Sequence, residues 1–113
     1  MANTFKLKTS GSIGTGSVKV YTVPSSTTTV LIGATLANTS NASIGGSLLL
    51  ESDTSDTEVN NNVYIIKDAP IPAGSSLEVM AGNKIVLQTT DIIKVQSDTT
   101  GSMDSILSLM EIT

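Results

Sequence analysis

Apolar and polar residues alternate with period two along most of the chain, and the alternation restarts about every ten residues between clusters of Gly, Ser, Thr, Asn, Asp and Pro. That rhythm predicts strands. A first strand is expected over Thr4–Thr9, with Phe5 and Leu7 set against Thr4, Lys6 and Lys8; the three glycines at Gly11, Gly14 and Gly16 then break it. A second is expected over Ser17–Val23, with Val18, Val20 and Thr22 on one side and Lys19 and Tyr21 on the other, ended by Pro24. The longest apolar stretch, Thr27–Asn38, carries aliphatic residues on both faces and predicts a central strand covered on both sides. After a polar loop at Asn38–Gly46, strands are expected over Ser47–Ser52, Val63–Lys67, Ser75–Ala81, Lys84–Thr89 and Ile92–Ser97. Asp68–Gly74 is expected to be a proline-anchored corner with Pro70, Ile71 and Pro72 exposed, and Gly82-Asn83 a two-residue hairpin turn. The closing segment Ser102–Thr113 also partly matches a helical spacing, but Ser102, Ser105 and Ser108 are indifferent helix formers and strand is the better fit.

Eight or nine short strands in 113 residues predict one domain over residues 1–113, an all-β, antiparallel two-sheet β-sandwich of the jelly-roll kind, with an immunoglobulin-like topology as the alternative. Ile, Leu and Val supply 30 residues and the aromatics three, so the core must be aliphatic.

Composition narrows the chemistry. With no Cys and no His, a disulfide framework, a thiolate zinc site, a cysteine nucleophile and the usual general base are all excluded. Arg is absent, six lysines are scattered and the net charge is −4, so a nucleic-acid partner is not expected. No stretch approaches the ~18 apolar residues of a membrane helix, and Met1–Ser10 lacks the apolar run of a leader, so a soluble, unprocessed chain is expected. Asp53, Asp56 and Glu58, followed by three asparagines, could offer oxygen ligands to a hard cation, but the spacing misses the EF-hand pattern and a solvated hairpin tip explains them better. Gly11, Gly14 and Gly16 resemble a phosphate loop superficially, with no following helix. The triplets at Asn38 and Asn41 are glycosylation acceptors in form only, and Phe5, Tyr21 and Tyr64 fit core or cross-strand packing better than sugar stacking. No catalytic set and no cofactor is expected. Only 14% of residues are charged, against about 25% in an ordinary domain, so much of the surface is Ser, Thr, Asn and Gly, as in a protein that works assembled.

The segments Val20-Tyr21-Thr22-Val23-Pro24, Lys67-Asp68-Ala69-Pro70-Ile71-Pro72-Ala73-Gly74 and Gly82-Asn83-Lys84-Ile85-Val86-Leu87, with the start Met-Ala-Asn-Thr-Phe-Lys and the ending Met110-Glu111-Ile112, resemble small virion structural proteins of tailed bacteriophages, especially those of cyanobacteria. The resemblance implies a β-sandwich used many times per particle: a capsid decoration or cement protein on the capsid surface, partnered by the major capsid protein or its own copies as a dimer or trimer. The alternative it allows is a neck, tail, baseplate or fibre subunit that binds a host carbohydrate receptor. No functional residues transfer with it. The expected contact residues are Phe5 and Leu7 in the N-terminal arm and Pro70, Ile71 and Pro72 at the corner.

Overall fold

The computed structural model describes residues 2–52, 60–80 and 82–113. Its described strands are β1 (Asn3–Ile13), β2 (Val18–Thr22), β3 (Thr28–Asn38), β4 (Ile44–Glu51), β5 (Val63–Ile71), β6 (Ser76–Glu78), β7 (Ile85–Leu87), β8 (Ile92–Ser97) and β9 (Met103–Ile112). One sheet, called A here, has the order β1-β9-β3-β6, with β7 also on β3; sheet B has the order β2-β8-β4-β5, and every pairing is antiparallel. The chain crosses between sheets at each step from β1 to β4, which is the jelly-roll pattern; an immunoglobulin-like sandwich would keep its first two strands in one sheet.

Alternation decides which side chains close the core. Along β9 the inner positions Met103, Ser105, Leu107, Leu109 and Glu111 are buried, while Ile106 and Ser108 are exposed. A helix would have scattered these positions, and the strict period of two is what makes this segment a strand. On β3, Thr29, Leu31, Ala34 and Leu36 face inward, with a bulge between Leu31 and Gly33 that keeps both halves in phase. Sheet B answers with Leu48, Ile93, Val95 and Ile71.

Three local expectations change. First, β1 runs on through Gly11 to Ile13, with a register shift between Ser10 and Ile13, so Gly11 lies within a bulged strand, while Gly14 and Gly16 fall in the break before β2. Second, Gly82 (φ +85°) does not turn a hairpin between β6 and β7. Both strands pair with β3, β6 at Thr35–Ala37 and β7 at Thr29–Leu31, so they form one interrupted edge strand. Third, β5 continues through the expected corner, with Asp68 at φ +50° and Pro70 on the outer strand of sheet B, where a missing N–H is tolerated. This places Ile71, expected to be exposed, wholly in the core opposite Ile44.

Gly45 and Gly46, read as loop, lie buried in β4. A Cβ at Gly46 would sit 2.8 Å from Ile71 Cδ1, 3.1 Å from Met103 Sδ and 3.2 Å from Leu36 Cδ1, so the two sheets meet over bare backbone there. The core ends in polar groups. Asn38 is buried and makes four bonds: Nδ2 donates to the carbonyls of Ala42 (2.7 Å) and Ile71 (2.9 Å), and Oδ1 accepts from the Ser40 amide (2.9 Å) and hydroxyl (2.7 Å). At the other end the Tyr21 hydroxyl of sheet B donates to Glu111 Oε2 of sheet A (2.5 Å) and lies 2.8 Å from Thr29 Oγ1. Lys6 Nζ is 3.2 Å from Glu111 Oε1. Burial, followed by the bond to Glu111, pushes the Tyr21 phenol up to about 12, and the Tyr21 hydroxyl, helped by Lys6, holds the Glu111 carboxyl below its usual range.

Two predictions follow from this packing. Gly46→Ala should lower unfolding stability by about 1–3 kcal/mol in urea titration, because the added methyl must displace core side chains. Glu111, whose native pKa is depressed, adds stability that is complete well above its ordinary value of 4.5 and is lost as pH falls through the lower native value. Tyr21, whose native pKa is raised, adds stability that is complete below 10.0 and is lost as pH rises through about 12. Unfolding midpoints measured across pH should therefore fall at both extremes, and Tyr21→Phe should flatten the alkaline limb while costing about 1–3 kcal/mol at neutral pH.

Candidate assembly surface

The outer face of sheet A breaks the usual rule for a sandwich exterior. Register brings Phe5 opposite Met110, Met110 opposite Val30 and Val30 opposite Val86, so one apolar row crosses the sheet from β1 to β7. Adjacent rows add Leu7, which pairs with Ser108 with Gly33 beyond it, and Ile106, which lies between Thr9 and Thr35. Phe5 is 73% exposed, Leu7 66%, Val86 63% and Ile106 44%; Val30 and Met110 are half-buried by these neighbours. At about 150–250 Å² for a fully exposed large side chain, the four exposed residues offer roughly 400–500 Å² of mainly apolar surface, in the range of the largest patches on monomers, which are often functional.

Charge is displaced from this row. On β1 the lysines point the other way: Lys6 and Lys8 pair with the inward-facing Leu109 and Leu107, and Lys6 is held by Glu111. Asp104, which accepts from the Ser12 amide (3.0 Å), sits towards the opposite end of sheet A. Glu78, which accepts from Thr35 Oγ1 (2.9 Å), shares the row of Ile106 and reaches to 3.8 Å from where a Gly33 Cβ would stand, so it borders the patch outside the Phe5–Val86 row.

The expected contact residues do not come together. Phe5 and Leu7 lie on the edge strand β1 of sheet A, near the end of the sandwich where β9 finishes. Pro70 and Pro72 are exposed but belong to the opposite side, on and just after β5, at the end where Asn38 holds the Ile71 carbonyl. Ile71 is enclosed and presents no side chain to a partner. Val30, Val86 and Ile106 escaped the sequence reading as surface, since nothing in an alternating apolar pattern says which of two faces is covered. Of the aromatics, Tyr21 is core, Phe5 is exterior, and Tyr64 is 46% exposed with Lys67 Nζ 5.3 Å from its ring centroid.

The remaining candidates contribute little chemistry. Asp53, Asp56 and Glu58 lie outside the described residues, and among the described residues no group of three or more potential metal ligands occurs. A cleft beside Ser52, Asn60, Asn61 and Gln88 includes the buried Asp91, whose carboxylate accepts from Ser52 Oγ (2.7 Å) and the Gln88 amide (2.9 Å). That carboxylate is engaged in tying β4 to the turn before β8. Gly11, Gly14 and Gly16 precede no helix.

No protein-family model matches the chain, and none of the curated proteins does. Among solved structures, a chain of the T13 IBDV viral particle shares the fold: the likeness covers 96% of the present chain at a TM-score of 0.58, with 10% sequence identity. The present chain spans 30% of the length of that one.

Because Phe5 and Leu7 touch little of the core, the double substitution Phe5→Ser/Leu7→Ser should change unfolding stability by no more than about 1 kcal/mol. It should at the same time sharply shorten retention on a hydrophobic-interaction column. A large loss of stability would show instead that these side chains serve the fold.

Proposed function

We propose that this chain is a virion structural protein without enzymatic activity, a capsid decoration or cement protein that seats the outer face of sheet A against the head lattice. The observation that carries this reading is the apolar row Phe5–Met110–Val30–Val86 on the exterior of a folded sandwich. It is supported by the fold held in common with a chain of a viral particle and by a composition without Cys or His.

The magnitudes suit a lattice. Burying roughly 400–500 Å² at about 25 cal/mol per Å² gains on the order of 10–12 kcal/mol, while association costs about 4–15 kcal/mol. A single seat is thus weak to moderate in strength, and firm attachment comes from many linked seats. The sandwich measures 45 × 27 × 22 Å, so its broad face can lie flat on a capsomer junction.

The test is the copy number of the chain in purified particles, by quantitative mass spectrometry against the major capsid protein. Hundreds of copies are expected. A few to some tens would move the protein to the neck, tail or fibres and overturn the cement reading. On a head-lattice protein, Phe5→Ser/Leu7→Ser should also reduce particle occupancy, whereas Pro72→Ser should leave it unchanged.

A further inference from the structure

Among the described residues the sandwich has four open strand edges, and three of them are blunted. The edge opposite β1 in sheet A is broken into the three-residue strands β6 and β7. In sheet B, β2 is five residues long with a register shift between Lys19 and Tyr21, and β5 is interrupted by register shifts against β4, by Asp68 at positive φ and by Pro70. Such features are the usual means of stopping strand addition. The fourth edge is the least interrupted: β1 keeps a continuous register with β9 from Asn3 to Ser10, has its register shift only beyond Ser10 and contains no proline, and its two lysines, Lys6 and Lys8, are on the inner side of the strand.

Backbone parity shows which groups this edge presents. Ala2 and Thr113 exchange both their bonds, the Ala2 amide to the Thr113 carbonyl and the Thr113 amide to the Ala2 carbonyl, each at 3.0 Å. In an antiparallel ladder every second residue repeats that pattern, so Thr4, Lys6 and Lys8 are bonded to β9, while Asn3, Phe5, Leu7 and Thr9 turn their N–H and C=O groups to the free side. The residues with free backbone groups therefore include the two most exposed large apolar side chains among the described residues.

We infer that β1 pairs antiparallel with β1 of a second copy, on a two-fold axis at Phe5. Charge opposes the two registers next along the strand, and an axis at Thr4 would pair a shorter stretch of β1. An axis at Lys6 would set Lys6 against its own copy, and one at Leu7 would set Lys6 against Lys8, both like-charge pairs on adjacent strands. An axis at Phe5 sets Lys6 against Thr4 and Lys8 against Ala2. It lets the Asn3, Phe5 and Leu7 backbones close six bonds across the interface. It also aligns the exterior rows, so that Val86–Val30–Met110–Phe5 continues without a step into the same row of the second copy. The exposed face is doubled in width, and Phe5 meets Phe5 at its centre. The pairing stands on strand geometry and does not depend on the virion reading.

Single cysteines test it, since the native chain has none. Across the axis the two Cα atoms at position 5 should be about 5.5 Å apart, within disulfide reach, whereas copies of position 3 or of position 7 are offset by about four residues, roughly 13 Å. Mild oxidation should therefore convert Phe5→Cys into a covalent dimer and leave Asn3→Cys and Leu7→Cys monomeric when alone. A mixture of Asn3→Cys with Leu7→Cys should cross-link. In the native chain, sedimentation should show a dimer at micromolar concentrations, and exchange of the Phe5 and Leu7 amides should slow as concentration rises. A monomer with concentration-independent exchange at those amides, or Leu7→Cys cross-linking with itself as readily as Phe5→Cys does, would overturn the proposal. A low copy number in particles would overturn the cement reading and leave the dimer intact.

Discussion

The structure depends on the two-sided use of β9. This strand lies between β1 and β3, and its alternation sends Met103, Leu107 and Leu109 into the core while Ile106 and Met110 stay outside. The inner set closes the sandwich against β4 and β8. The outer set joins Phe5, Val30 and Val86 to make a second apolar surface that nothing among the described residues covers. An ordinary antiparallel sheet with one wet face would carry polar residues at those positions. Here the fold and the proposed assembly draw on the same strand.

An aliphatic core of this kind has few directional contacts of its own, and specificity comes from its margins. Gly46 sets the separation of the sheets, since any side chain there would meet Leu36, Ile71 and Met103 at once. The Tyr21–Glu111 bond ties sheet B to sheet A at one end, and Asn38 ties the β3–β4 loop to β5 at the other. Both are buried polar groups with their partners supplied, so they favour one alignment of the sheets over any slipped one. Because Glu111 also holds Lys6, the edge strand β1 is anchored to the same network.

The sandwich was legible in the sequence because alternation and turn residues report strands directly: β3, β8 and β9 fall close to where the pattern puts them. Pairing partners were not legible. Nothing local says that β6 and β7 lie end to end on β3 instead of on each other, or that Gly45 and Gly46 enter the core, because both depend on what the other sheet supplies. Bulges hid more. The extra residue between Lys19 and Tyr21 turns the phenol inward against the expected phase, and the irregular pairing of β5 with β4 carries Ile71 into the core while Pro70 and Pro72 stay exposed. Phe5 and Leu7 were found as surface candidates, but their row-mates Val30 and Val86 emerged only from strand register.

The central claim is that the outer face of sheet A is covered in the particle and bare in the free chain. Hydroxyl-radical footprinting of intact particles against the free protein measures this residue by residue. The account predicts strong protection of Phe5, Leu7, Val86 and Met110 in particles, with Tyr64 and Pro72 as reactive as in the free chain. Equal reactivity of Phe5, Leu7 and Met110 in both states would contradict it.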